Sequence, residues 1–174
     1  MNWTAPDVAR EDPPYVADER TSLQSWLDYH RQTLLWKCAG LSGEQLAARP
    51  IEQTSLSLLG LVRHMSYVQR VWVRQRFAGM SDLAPLYCTE EFPDGDFDFA
   101  DPAGAEADFA SYAAECAAVD EAASGRSLDE TFVHPRLGMS IDLRWVYTHL
   151  IEEYARHNGH ADLLRERIDG LTGD

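Results

Sequence analysis

Apolar residues recur at helical spacing along four long stretches of this chain, separated by segments rich in Pro, Gly and Asp. In the last stretch, beginning near Trp145, the residues Val146, Leu150, Ala161, Leu164 and Ile168 fall on one stripe. Glu153 and His157 interrupt it between Leu150 and Ala161, where a core-facing stripe calls for apolar side chains. They are four apart, so they stack one turn above the other. A carboxylate facing an apolar interior costs several kcal/mol unless its charge is offset. A divalent cation would offset it, and a Glu and a His at this spacing can share one ion.

The remaining pattern supplies the partners. Residues 1–17 read as an arm, because Pro6, Pro13 and Pro14 exclude a helix. The first long helix is predicted from Asp18 to Ala39, with Leu23, Leu27, His30 and Leu34 inward and Gly40 as its stop. Ser42 caps a short piece that ends at Pro50. The second long helix is predicted from just after Thr54 or Ser55 to Ala78, burying Leu58, Leu61, Met65, Val68 and Trp72. His64 lies within that apolar face, while Arg63, Arg70 and Arg74 are assigned to the other sides. The third, rich in alanine, is predicted over 103–123 with Phe109, Tyr112, Cys116 and Val119 inward. The fourth is predicted to start at a Ser140 cap and to end at Asp169–Gly170.

Two connections matter. Residues 79–103 hold many acids and no Lys or Arg. The segment is too long for a tight turn, and it suffices to span a bundle roughly 30 Å long, which lets the second and third helices run parallel. We read it as an acidic loop with aromatic anchors, favoured over a strand at Phe97–Phe99 and treated as a solvated connection rather than a lid. Residues 124–140 form the other connection, with His134 in an exposed turn. The pattern therefore predicts an all-α chain: a single-domain four-helix bundle over about 18–170, with a long acidic crossover loop between helices 2 and 3.

Composition narrows the function. Apolar content of 45% and charged content of 25% are ordinary for a globular protein. The net charge of −14 argues against nucleic acid and against an anionic membrane surface. No spanning segment or signal peptide is visible, so a cytoplasmic location is expected. Cys38, Cys88 and Cys116 are scattered without metal-finger or CxxC spacing and read as reduced packing thiols. Cys88, in a loop, is the most exposed by position and the one candidate for redox chemistry.

Glycine-rich phosphate loops and nucleophile elbows are absent from the text. What remains is the set His64, Glu153 and His157, each midway along a helix on its inner face. Bundle interiors host metals on such side chains, and two imidazoles with one carboxylate leave coordination positions open. Taken singly, each has an ordinary explanation: a hydrogen-bonded core histidine for His64, an in-helix hydrogen bond for the other two. Only their combination brings the metal reading level with the ordinary one. His149 and His160 lie on the flanks of the same stripe and are assigned to the pocket or to ligand support, with either able to replace a chosen ligand. His30 is a further pocket candidate, with core packing as its simpler role.

GLVRHMSYVQRVW and HLIEEYARHNGHADLLRE, together with TSLQSWLDYHRQTLLWKCAGLSGEQL, resemble the DinB-like superfamily of metal-binding four-helix bundles over most of residues 19–170. The mini-circle-protein branch, similar to mycothiol transferases, is the nearest in pattern. The metal domain of mycothiol-dependent maleylpyruvate isomerase is also similar, but its additional C-terminal domain has no room here, so isomerase activity is not implied. By position the resemblance makes His64, Glu153 and His157 the ligands of a divalent metal, most often zinc or nickel, with iron and manganese compatible. The superfamily's more usual His at the first helix-4 position is Glu153 here, which leaves the metal's identity open. It also implies a low-molecular-weight thiol cofactor, a small-molecule electrophile as substrate, a role in detoxification and a homodimer, although no self-complementary patch is visible. The expected function is metal-dependent transfer of a mycothiol-like thiol. A metal hydrolase using bound hydroxide and a non-enzymatic metal-binding stress-response protein are the alternatives.

Overall fold

The computed structural model describes residues 3–173, and they are mostly helical. Helix α1 spans Glu19–Cys38, and its N-terminus is capped by Asp18, whose carboxylate accepts from Thr21 N. Helix α2, Gly43–Ala47, opens with a capping box of Ser42 and Gln45. Helix α3, Leu58–Gln69, continues into a π-helical segment, Arg70–Phe77. A short helix α4, Gly95–Asp98, and a 3-10 turn, Pro102–Gly104, interrupt the connection to α5, Ala105–Ala123. Strands β1, Thr131–Val133, and β2, Ser140–Asp142, precede the last helix, α6, Leu143–Asp169.

Four departures from the sequence pattern have local causes. The second long helix starts at Leu58 because Ser57, not Thr54 or Ser55, turns its hydroxyl onto Gly60 N. The third starts at Ala105, since Pro102 nucleates a 3-10 turn first. Where the pattern reads as loop, Phe97 lies within the short helix α4 and Phe99 ends it. The chain is not purely helical: β1 and β2 pair antiparallel, with Phe132 opposite Ile141. Ser140 therefore lies in a strand, and Asp142 caps α6 by accepting from Trp145 N at 2.7 Å. Gly170 ends α6 in the left-handed conformation, as its position in the sequence suggests.

Side-chain contacts fix the directions of the long helices. Arg20 and Tyr147 meet at one end of the α1–α6 contact, and Arg165 reaches the Lys37 carbonyl at the other, so these helices run parallel. Arg63 bonds Asp108, and Arg70 and Arg74 bond Glu115, so α3 with its π segment runs parallel to α5. His64 faces His157 whereas Trp72 faces Trp145, so α3 and α6 run antiparallel. Leu27, Leu34, Leu61, Met65, Val119, Leu150 and Leu164 are among the buried residues that form one core between them. The N-terminal arm lies on this core through Ala5 and Trp3, the latter edge-on to Phe109.

The arginines assigned to outer faces are not solvent-facing decoration. Arg63 is buried against Asp108, and Arg70 and Arg74 share the buried Glu115. Cys88 is buried, not exposed, and burial pushes its thiol up to about 11, which makes it a poor nucleophile near neutral pH. His134 is buried as well: Trp72 covers it, and its Nδ1 accepts from Arg136 N and Leu137 N. Among the described residues, no helix is long and apolar enough to cross a membrane.

Candidate metal centre

Facing positions of two antiparallel helices bring the donors together. His64 is presented by α3 and Glu153 and His157 by α6, and one donor atom from each lies within 4.8 Å of the others. The His64 and His157 rings sit 4.7 Å apart, and His157 Nε2 is 3.5 Å from Glu153 Oε2. The stripe that α6 sends deepest into the core is not the one carrying these donors. Tyr154 and Asn158, one position further on, fill it between Leu150 and Ala161. Glu153 and His157 occupy its flank toward α3, with 22% and 12% of their side chains exposed. The premise of a carboxylate aimed into a sealed core is thus corrected: Glu153 lines a half-open recess between helices.

His157 is squeezed between histidines. Burial, with the neighbouring His64, His160 and Arg156, pushes it down to about 4, so its ring is neutral at pH 7 and keeps a lone pair available. Its Nδ1 meets His160 Nδ1 at 3.3 Å. His160 therefore stands behind His157, in contact with the ring but outside the close set. On the other side, His149 Nε2 approaches Glu153 Oε1 at 3.6 Å, so the Glu153 carboxylate is shared between two imidazoles. His149 stacks on Trp145 and meets Trp72 edge-on, and burial lowers its pKa as well. His149, Glu152 and Glu153 form a second cluster with donor atoms equally close, but all three come from one helix and Glu152 is exposed. His30 is elsewhere in its contacts: Asn158 bonds its ring and carbonyl, and Trp26 and Tyr29 flank it.

The connection between the second and third long helices supplies a residue the sequence pattern did not single out. Asp96, on α4, is 3% exposed, and its Oδ2 lies 2.7 Å from His64 Nδ1. Phe97 packs against that ring, with centroids 5.2 Å apart. The loop is thus more than a solvated connection. No spacing in the sequence announces Asp96, which is one of many acids in its loop. Its signal is the short apolar anchor Phe97 beside it.

These residues fit a divalent ion. With Nδ1 engaged by Asp96, His64 has Nε2 left as its donor, the arrangement metal-bound histidines adopt. Two neutral imidazoles and one carboxylate against two positive charges leave the site formally cationic, which suits an anionic sulfur or oxygen.

A family model described as mycothiol-S-transferase matches residues 22–170, a span that includes all three donors. The chain belongs to the mycothiol-S-transferase family. Its class is that of a mycothiol-related transferase, whose substrates are small molecules. No curated protein matches this family member, and no solved structure does. The resemblance of its second and fourth long helices to the mycothiol transferase branch is thereby borne out.

Proposed function

We propose that this chain is a one-domain four-helix bundle enzyme that transfers a mycothiol-like thiol to an electrophile, using a divalent ion held by His64, Glu153 and His157. The observation that carries the reading is the convergence of three donors from two separate helices within 4.8 Å. Family membership supports the thiol as co-substrate. The two-imidazole, one-carboxylate set favours zinc or nickel and is compatible with iron or manganese.

A bound divalent ion supplies Lewis acidity, which favours the thiolate form of a coordinated sulfur at neutral pH. The chain's own residues do the rest. His157 stays neutral and so competes for no proton in the working range. Glu153 offsets one positive charge and leaves the other for the sulfur. Trp145, stacked on His149, and Trp72, edge-on to it, form an aromatic wall beside Glu153 on which an apolar electrophile can rest. The thiol gives up its proton to solvent, the sulfur–carbon bond forms, and a leaving group departs with its electron pair. Reactions of this kind remove toxic electrophiles, and we assign the chain to detoxification on that basis.

The test is thiol dependence. Purified protein loaded with zinc is assayed against a model alkylating electrophile with and without a low-molecular-weight thiol. Turnover requiring both metal and thiol is expected. Metal-dependent ester hydrolysis without thiol would replace this reading with that of a hydrolase. Strong metal binding with no turnover of either kind would leave a non-enzymatic metal protein.

A further inference from the structure

We propose that Asp96 is the positioning residue for His64: it holds the proton on Nδ1 and so aims the Nε2 lone pair into the donor set. The proposal rests on the metal reading above and adds a residue from a segment with no metal donor of its own.

Asp96 is itself held on every side. Its Oδ1 accepts from Phe97 N at 3.0 Å, which leaves Oδ2 for His64. Arg63, the residue before His64, donates from Nε to the Asp96 carbonyl at 2.8 Å and from Nη2 to the Gly95 carbonyl at 3.0 Å. Its Nη1 bonds the Asp108 carboxylate on α5 at 3.1 Å. The turn before Asp96 also packs against the Tyr87 backbone, because residue 95 has no side chain. A Cβ there would come within 2.4 Å of the Tyr87 carbonyl oxygen. Two adjacent residues of α3 thus divide the work: Arg63 fixes the backbone of the loop, and His64 receives the carboxylate that the loop carries.

The chemistry follows from the donor inventory. A buried carboxylate accepts and does not donate, so a neutral His64 facing it must carry its proton on Nδ1. That tautomer is the one with a free lone pair at Nε2. An asparagine of the same shape can offer an N–H instead, which favours the opposite tautomer with Nε2 protonated and blocked. A carboxylate that merely stabilised the fold would be replaceable by asparagine without loss of zinc affinity.

The experiment uses the full chain stripped of metal by a chelator at pH 8. Long-range nitrogen–proton NMR reads the His64 tautomer in the parent and in Asp96→Asn, and zinc affinity is measured by competition with a chromophoric chelator. In the parent the proton is expected on Nδ1. In Asp96→Asn it is expected to move toward Nε2, zinc affinity is expected to fall about 10- to 100-fold, and the metal-free melting temperature is expected to change by only a few degrees. A parent with the proton on Nε2 overturns the proposal, and that observation needs no variant to fold. Zinc binding within twofold of the parent in Asp96→Asn overturns it too. A parent with the expected tautomer that takes up no zinc overturns the metal reading itself, and the positioning role with it.

Discussion

Glu153 receives a histidine from each direction along its own helix, and a third from across the recess, so its charge and that of an incoming ion are coupled. Replacing it with Gln keeps the shape and removes the charge. Zinc binding is expected to fall below stoichiometric levels in a dialysis measurement. Metal-free stability should shift by no more than about 1 kcal/mol, because the side chain is partly solvated and holds no buried partner of opposite charge. His157 gives a pH signature. Its folded-state pKa lies below the ordinary value near 6.5, so the unfolded chain binds more protons between those limits. Metal-free protein is therefore expected to lose stability as pH falls from about 6.5 toward 4, with His149 acting in the same direction. Thermal melts across that range should show the slope, and His157→Gln should flatten it. The histidines and the glutamate were legible as breaks in an apolar period. The sequence did not reveal that they sit on the flank of α6, because Tyr154 and Asn158 can fill the deeper stripe only by pairing their polar atoms with Tyr112 and His30.

Connections between elements decide how the donors are held. Helix α3 places Arg63 and His64 in consecutive positions, and both reach the same turn of the 79–103 connection. Arg63→Met leaves Asp108 buried without its cation, a change expected to cost about 3–5 kcal/mol and to lower Tm by more than about 6 °C in a thermal melt. At the start of α6, Asp142→Ala removes the cap on Trp145 N, with an expected loss of about 1 kcal/mol and a Tm drop of roughly 2–4 °C. The long helices were readable to within a turn because their apolar period is strong. Caps and short elements were not: Ser140 has a capping side chain, but the hairpin draws it into a strand and passes the role to Asp142. His134 and Cys88 looked exposed because they lie in loops, and they are buried because those loops fold back onto the helices. Asp96 illustrates the limit of pattern reading. One acid among many becomes distinct only when tertiary packing removes it from water.

At the scale of the whole molecule, parallel pairing of α3 with α5 explains why the connection between them is long: it must return the chain to its starting end. The antiparallel contact between α3 and α6 is where the histidines meet. An ion bound there bridges elements distant in sequence, so it should stabilise the whole fold rather than one helix. Zinc in hundredfold excess over its Kd is expected to add about 2.7 kcal/mol, visible as a higher Tm that chelator reverses. The most direct measurement is the zinc-to-chain ratio after reconstitution and desalting, for the parent beside His64→Ala and His157→Ala. A ratio near one in the parent, lost in both variants, is the expected result, since the two residues stand on different helices and each supplies one of the three donors. A full complement of zinc retained in both variants, or none taken up by the parent, would contradict the proposed centre.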